Sequence, residues 1–200
     1  MENIEKDFTP EESLQLISQI ITKTRRNIKV GSFFFILWGW IVIFSSVSCF
    51  FVIKYFCAHH LEKYLNLACW LTWIIPTIIG FIISNLHAKK MEKTERVKSQ
   101  IGSIIKAIWY TNALGIFISC FISYKMKSYP APIILTIVGI STFLTGYIIK
   151  FRPLILGGII FGLLAIFSCF IMNEYQLLVT ALGILSGYLI PGYILKYSKI

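Results

Sequence analysis

Apolar residues gather along this chain into six long blocks, at about 33–56, 66–86, 104–123, 131–149, 153–172 and 177–195, and nearly all the charged residues lie between them. At a rise of about 1.5 Å per residue, a helical block of this length covers the roughly 30 Å of hydrocarbon in a bilayer. The pattern predicts an all-α integral membrane fold, a six-helix transmembrane bundle with short loops. Ahead of the first block, "FTPEESLQLISQIITKTRRNIKVG" has a different rhythm. Thr9 is placed as N-cap, Pro10 as first helical residue, and Glu12 as the residue that reaches back to complete a capping box. Leu14, Ile17, Ile21, Thr24 and Ile28 then alternate spacings of three and four, which draws one apolar stripe along an amphipathic helix. Gly31 is expected to end it. Two regions follow: an amphipathic helix over 1–31 and a six-span domain over 32–200.

Composition sharpens this division. Apolar residues make up 56% of the 200 and charged residues 14%, against about 25% charged in ordinary globular chains. The net charge of +10 therefore reads as loop charge near anionic lipid. It does not read as a nucleic-acid footprint, because no basic and aromatic residues interleave in a binding module. Of the 19 Lys and Arg, 15 fall on one side of the six-span arrangement and 4 on the other. The positive-inside rule then puts both termini in the cytoplasm of a multi-pass membrane protein. The first apolar block starts too late and runs too long for a cleavable signal peptide and lacks a small-x-small exit, so it should stay as a span.

The phrases "TPEESLQLISQIITKTRRNIK" and "LWGW", with "RPLILGG" and "IPGYILKY" near the end, resemble a family of short, uncharacterised integral membrane proteins of Gram-negative anaerobic bacteria. The resemblance runs over nearly the whole chain. It implies an inner-membrane location and carries no activity, substrate, cofactor or catalytic residue.

Function classes can be narrowed from what the spans contain. No Asp, Glu, Lys, Arg or His lies in the middle of any block, the nearest being terminal, such as Lys106, Lys150 and Lys196. Ion-coupled transporters, proton relays and intramembrane hydrolases need such groups at depth. A channel or facilitator for a neutral solute does not, since Ser, Thr, Asn and backbone carbonyls can line its path. Asn112 is the most polar side chain at depth and should face the bundle, either for an interhelical hydrogen bond or, with Thr111, Thr142 and Thr145, along a solute path. Small residues recur at four-residue spacing: Ala107, Thr111, Gly115 and Ser119; Gly158 and Gly162; Gly183 and Gly187, continued by Pro191. Such stripes let membrane helices approach closely. Pro76 and Pro191 predict kinks. "SCF" at 48–50, 119–121 and 168–170, with "G[FY]I[IL]" at 80–83, 146–149 and 192–195, suggests three helical hairpins of common design.

The loops hold the remaining candidate chemistry. Cys57 and Cys69 flank the first outer loop, where an oxidising compartment would permit a disulfide. In "CAHHLEKY", Cys57, His59, His60 and Glu62 are competent metal-ligand types, although adjacent histidines cannot share a helical face and the spacing matches no established site. Glu174 stands alone in the outer turn "MNEYQ". On the cytoplasmic side, Lys23, Arg25, Arg26 and Lys29 of the first helix and Lys89, Lys90 and Arg96 of the second loop form a basic surface. That surface could meet anionic headgroups, or the acidic start of the chain could dock on the second loop. Trp38, Trp40 and Trp109 near the inner boundary and Trp70 near the outer one fit an aromatic belt. Trp38 and Trp40 point to opposite sides of the helix, so one should face lipid while the other packs inward beside Gly39. No P-loop, G-x-S-x-G, H-E-x-x-H or paired carboxylates occur. The expected function is a non-enzymatic interaction or regulatory subunit of a membrane assembly, or a homo-oligomer. The competing reading is a channel or facilitator for a neutral or weakly polar solute. No cofactor is expected.

Overall fold

The computed structural model describes residues 10–92 and 100–198; of residues 10–30, 62, 91, 92, 100 and 173 it describes the backbone alone. Among the described residues every element is helical and none is a strand. The helices are α1 (Pro10–Ala58), α2 (Glu62–Glu92), α3 (Gln100–Met126), α4 (Ala131–Ile148), α5 (Arg152–Ser168), α6 (Gln176–Ile184) and α7 (Ile190–Tyr197). A 3₁₀ turn at Asn173–Tyr175 leads into α6, and a π turn at Leu185–Leu189 joins α6 to α7.

Five segments are long and apolar enough to cross a membrane: Gly31–Ala58, Lys63–Lys90, Ile101–Met126, Ala131–Ile148 and Gln176–Tyr197. The fifth apolar block forms the shorter α5, 17 residues long, about 25 Å by helical rise. It stops at Ser168 and does not run on to 172, because the Cys169 and Phe170 amides turn onto the carbonyls of Ile166 and Phe167.

Gly31 does not end a helix. α1 continues through it without a break, and a lone helical glycine costs only about 1 kcal/mol, which the hydrogen-bonded turns on both sides outweigh. The expected N-cap Thr9 lies outside the described residues.

Three helix ends share one device. The Leu61 amide bonds Phe56 O and the His60 amide bonds Cys57 O; Ser128 and Lys127 repeat this onto Ser123 and Tyr124, and Phe151 and Lys150 onto Gly146 and Tyr147. This is the Schellman arrangement, which satisfies the last free carbonyls of a helix through one residue in the left-handed region. Glycine usually holds that position, but here His60, Lys127 and Lys150 do, at φ of 56°, 52° and 55°.

Glycines set how closely the later helices pack. A Cβ at Gly158 would lie 2.8 Å from Gly139 O, one at Gly146 2.7 Å from Ile155 N, and one at Gly157 2.2 Å from Gly187 O. α4, α5 and the π turn therefore touch backbone to backbone, around a fully buried Phe161. Of the small residues expected to pack in α5, Gly158 does so against α4, and Gly157, facing the π turn, takes the role expected of Gly162. Gly162 faces open space.

α1 closes this core by packing Phe35 against Tyr188 and Gly192, and Gly39 against Leu189. α2 and α3 flank it. α2 lies antiparallel along α1: Gly80 sits under Ile41 and Trp38, and His87 stacks on Phe33 at 3.9 Å. α3 reaches α4 where Gly115 meets Ile137. Of the apolar windows, 6% is buried in α2 and 11% in α3, against 61% in Gln176–Tyr197. The three SCF words occupy different settings: Cys49 is buried, Cys120 half-buried, and Cys169 exposed just past the end of α5.

Candidate functional site

Two regions carry polar or reactive groups. The first is the interior. Thr142 and Thr145 are fully buried and donate to Val138 O and Ser141 O of their own helix, both at 2.7 Å. Within a membrane helix this back-bonding satisfies a hydroxyl without any second helix. Thr111 is exposed and donates to Ala107 O, so it lies on the outer side of α3 and lines no path through the bundle. Asn112, its neighbour, is 7% exposed, and its Oδ1 finds no partner among the described residues. Ser45, Ser46 and Ser123 Oγ and Gln176 Oε1 share that condition. Asn112 stands one turn from Trp109 and one from Ile116, both packed on the main apolar core. It thus faces inward, as expected, while the four residues Thr111, Asn112, Thr142 and Thr145 do not form one polar surface.

The second region is the end of the bundle where α1 meets α2 and the start of α6. Glu174 is not alone: its carboxylate accepts from Lys54 Nζ. The same ammonium lies 5.0 Å from the Tyr175 ring centroid and 5.8 Å from that of Phe50, a cation–π arrangement that holds the lysine stem against α1. Tyr129, in the turn between α3 and α4, has its phenol pushed above the ordinary tyrosine value by burial, with the nearby Glu174 charge adding to it. Such a contact between an α1 lysine and an acid 120 residues later needs the fold before it can be seen.

The loop cluster behaves as solvated surface. His59 Nδ1 lies 2.9 Å from Tyr55 O and its ring stacks on Tyr55 at 4.2 Å. His60 is the left-handed cap already described, and Cys57 is exposed. Among the described residues no three His, Cys, Asp or Glu side chains are placed to hold a metal. Cys69, which the sequence paired with Cys57, instead packs against the buried Cys49 of α1, together with Ile53, Leu65 and Trp73. All five cysteines are free thiols.

The tryptophans divide by environment. Trp38 points inward and donates to Ser84 Oγ of α2 at 3.1 Å; Trp40, on the opposite side, is 52% exposed and donates to Tyr193 Oη at 3.1 Å. Trp70 is likewise exposed. Trp109 differs from the expected lipid-facing anchor: it packs edge-on against Phe35 and Tyr188, because α3 rolls that face onto the core. Lys89 and Lys90 lie exposed in the last turn of α2. The side chains of Lys23, Arg25, Arg26 and Lys29, the whole of Arg96, and so the docking of the first helix on the second loop lie outside the described residues.

Sequence reasoning missed Ser84, His87 and Lys54 as interhelical contacts. Small or polar residues every three or four positions along α2, Cys69, Thr72, Pro76, Gly80, Ser84 and His87, were the available signal. No known family model, curated protein or solved structure matches the chain.

Proposed function

We propose that the chain is a polytopic inner-membrane protein that crosses the bilayer six times, with both termini in the cytoplasm, and serves as a non-enzymatic interaction or regulatory subunit of a membrane assembly. The observation that carries this reading is the uneven packing of the helices. α4, α5 and the α6–α7 segment bury their backbones against one another, whereas α2 and α3 present most of their circumference outward. Helices that associate in lipid gain from close packing and interhelical hydrogen bonds. α2 and α3 have surface left for a second membrane protein or a second copy of the chain. α5 completes the sixth crossing by matching a hydrocarbon layer thinner than average.

A photo-crosslinker placed at the exposed Ile78 of α2 or Phe117 of α3 tests the reading in native membranes. Protein adducts from these faces are expected. Lipid adducts alone, from both positions, refute it. Reporter fusions after the α1–α2 turn and at the C-terminus test the topology, with opposite sides expected.

The buried Asn112, Ser45, Ser46, Ser123 and Gln176 oxygens without protein partners favour a second reading, a facilitator for a neutral solute. Glycerol or urea flux into vesicles containing the purified chain, abolished by Asn112→Leu, would support that reading in place of the first.

A further inference from the structure

The cysteines of α1 and α2 point to a function the topology alone does not contain. Cys49 is 3% exposed and Cys69 half-buried, and both belong to the packing of the α1–α2 seam. Around them Ile53, Leu65 and Trp73 complete an apolar cluster. The Thr72 hydroxyl donates to Cys69 O at 2.7 Å. Two thiols on adjacent helices, packed into one apolar cluster, are placed for the side-chain approach that a disulfide of roughly 2.05 Å requires.

We propose that Cys49 and Cys69 are a reversible dithiol–disulfide pair that locks α2 to α1. The substrate is a disulfide donor, and the chemistry is thiol–disulfide exchange. The half-buried Cys69, as thiolate, attacks one sulfur of the donor; the donor's S–S bond breaks and its first half leaves as a thiolate that takes up the proton Cys69 lost. The Cys49 thiolate then attacks the Cys69 sulfur of the mixed disulfide. The Cys49–Cys69 bond forms, and the second half of the donor leaves with the Cys49 proton. Two cysteine thiols are oxidised and one donor disulfide is reduced to two thiols, so atoms and electrons balance.

The consequence follows from how α2 is held. Its contacts to the rest of the bundle run along α1, so a bond at Cys49–Cys69 fixes the end of that seam opposite His87. Reduction leaves α2 held by packing and by contacts such as the Trp38–Ser84 hydrogen bond. The exposed α2 face on which the proposed interaction rests would then be presented rigidly in one redox state and loosely in the other. The exchange itself requires only the α1–α2 seam; that it takes place toward an oxidising compartment rests on the proposed topology.

The test uses the full chain in liposomes, treated with dithiodipyridine, a small apolar disulfide, and then mapped by mass spectrometry without reduction. A peptide pair linked through Cys49 and Cys69, lost on dithiothreitol treatment, is expected. The same linked pair should form in Cys57→Ser, whereas Cys49→Ala should stop at the mixed disulfide between the probe and Cys69, and Cys69→Ala should give no linked pair. A link between Cys57 and Cys69, or between two copies of the chain, overturns the proposal. So does a wild-type chain that keeps both thiols as mixed disulfides with the probe, an outcome that depends on no variant folding. A pair that closes in liposomes yet is found reduced in cells supports the exchange and counts against the proposed topology.

Discussion

Replacing Gly157 by alanine should drive apart the two backbones at the centre of the bundle. The added Cβ would stand 2.2 Å from Gly187 O, 2.9 Å from its carbonyl carbon and 3.1 Å from its Cα. All three are backbone atoms, so no rotamer change relieves the contact, and α5 must move from the π turn by about 1 Å to restore ordinary van der Waals separation. Overpacking of this kind costs about 1–3 kcal/mol. Against it stands the gain of up to about 1 kcal/mol from replacing a helical glycine. Gly162, five residues along the same helix, is the internal control, because a Cβ there meets nothing within 4 Å, so Gly162→Ala keeps the gain and escapes the penalty. The two variants should therefore differ by about 1–3 kcal/mol, with Gly157→Ala the less stable. Reversible unfolding in mixed detergent micelles, followed by far-ultraviolet circular dichroism, measures this directly. Gly187→Ala, whose Cβ meets Phe161 at 2.7 Å and Gly157 O at 2.8 Å, should resemble Gly157→Ala, and the double variant should cost less than the two single costs together, since one separation relieves both contacts. Equal stability of Gly157→Ala and Gly162→Ala would refute the close approach of α5 and the π turn.

Three further outcomes are expected. Lys127→Gly and Lys150→Gly should each raise stability by about 0.5–1 kcal/mol in the same unfolding assay, because glycine adopts the left-handed cap at 52° and 55° without the Cβ strain; loss of stability would mean that these lysines hold more than a turn. Trp38→Phe removes the hydrogen bond to Ser84 and should cost about 0.5–1 kcal/mol, with faster hydrogen exchange confined to the Gly80–His87 end of α2. Asn112→Leu should leave stability unchanged or raise it, because the Oδ1 it removes has no partner among the described residues; a loss of more than about 1 kcal/mol would show that the amide is already satisfied.

The apolar blocks were legible because period and length alone distinguish a spanning helix from a loop, and the observed helices fall on them. Interruptions were less legible. Pro191 signals a disturbance, but what occurs is a π turn that ends two residues earlier, with the Ile190 amide bonding Leu185 O. The exposed residues Leu182, Leu185, Ile190 and Ile194 step by three, five and four, and the step of five is the inserted residue that an ordinary helical count does not anticipate. Glycine spacing pointed to close packing and yet selected Gly162 where Gly157 does the packing, because two adjacent glycines leave the choice of face to the neighbouring helix. In the polar regions, residue type was read correctly for Asn112, which faces inward. Partnerships such as Lys54 with Glu174, or Cys69 with Cys49, join distant stretches of sequence and only the tertiary fold brings them together.

The unequal burial of the helices also bears on how the chain is made. The ribosome delivers α1, α2 and α3 first and the glycine-packed α4, α5 and α6–α7 last. Until those arrive, α1 can pair with α2 and, through Phe35 and Trp109, with α3, and the wholly buried Ser45 and Ser46 lack the core that encloses them. The early intermediate is a helical hairpin with polar serines turned toward lipid or toward whatever chaperones it. Assembly finishes only when the last helix swings Tyr188 and Gly192 against Phe35. Premature release or loss of the C-terminal segment would therefore leave an inserted protein with an open seam along its first helix, the form that membrane quality control should recognise and degrade.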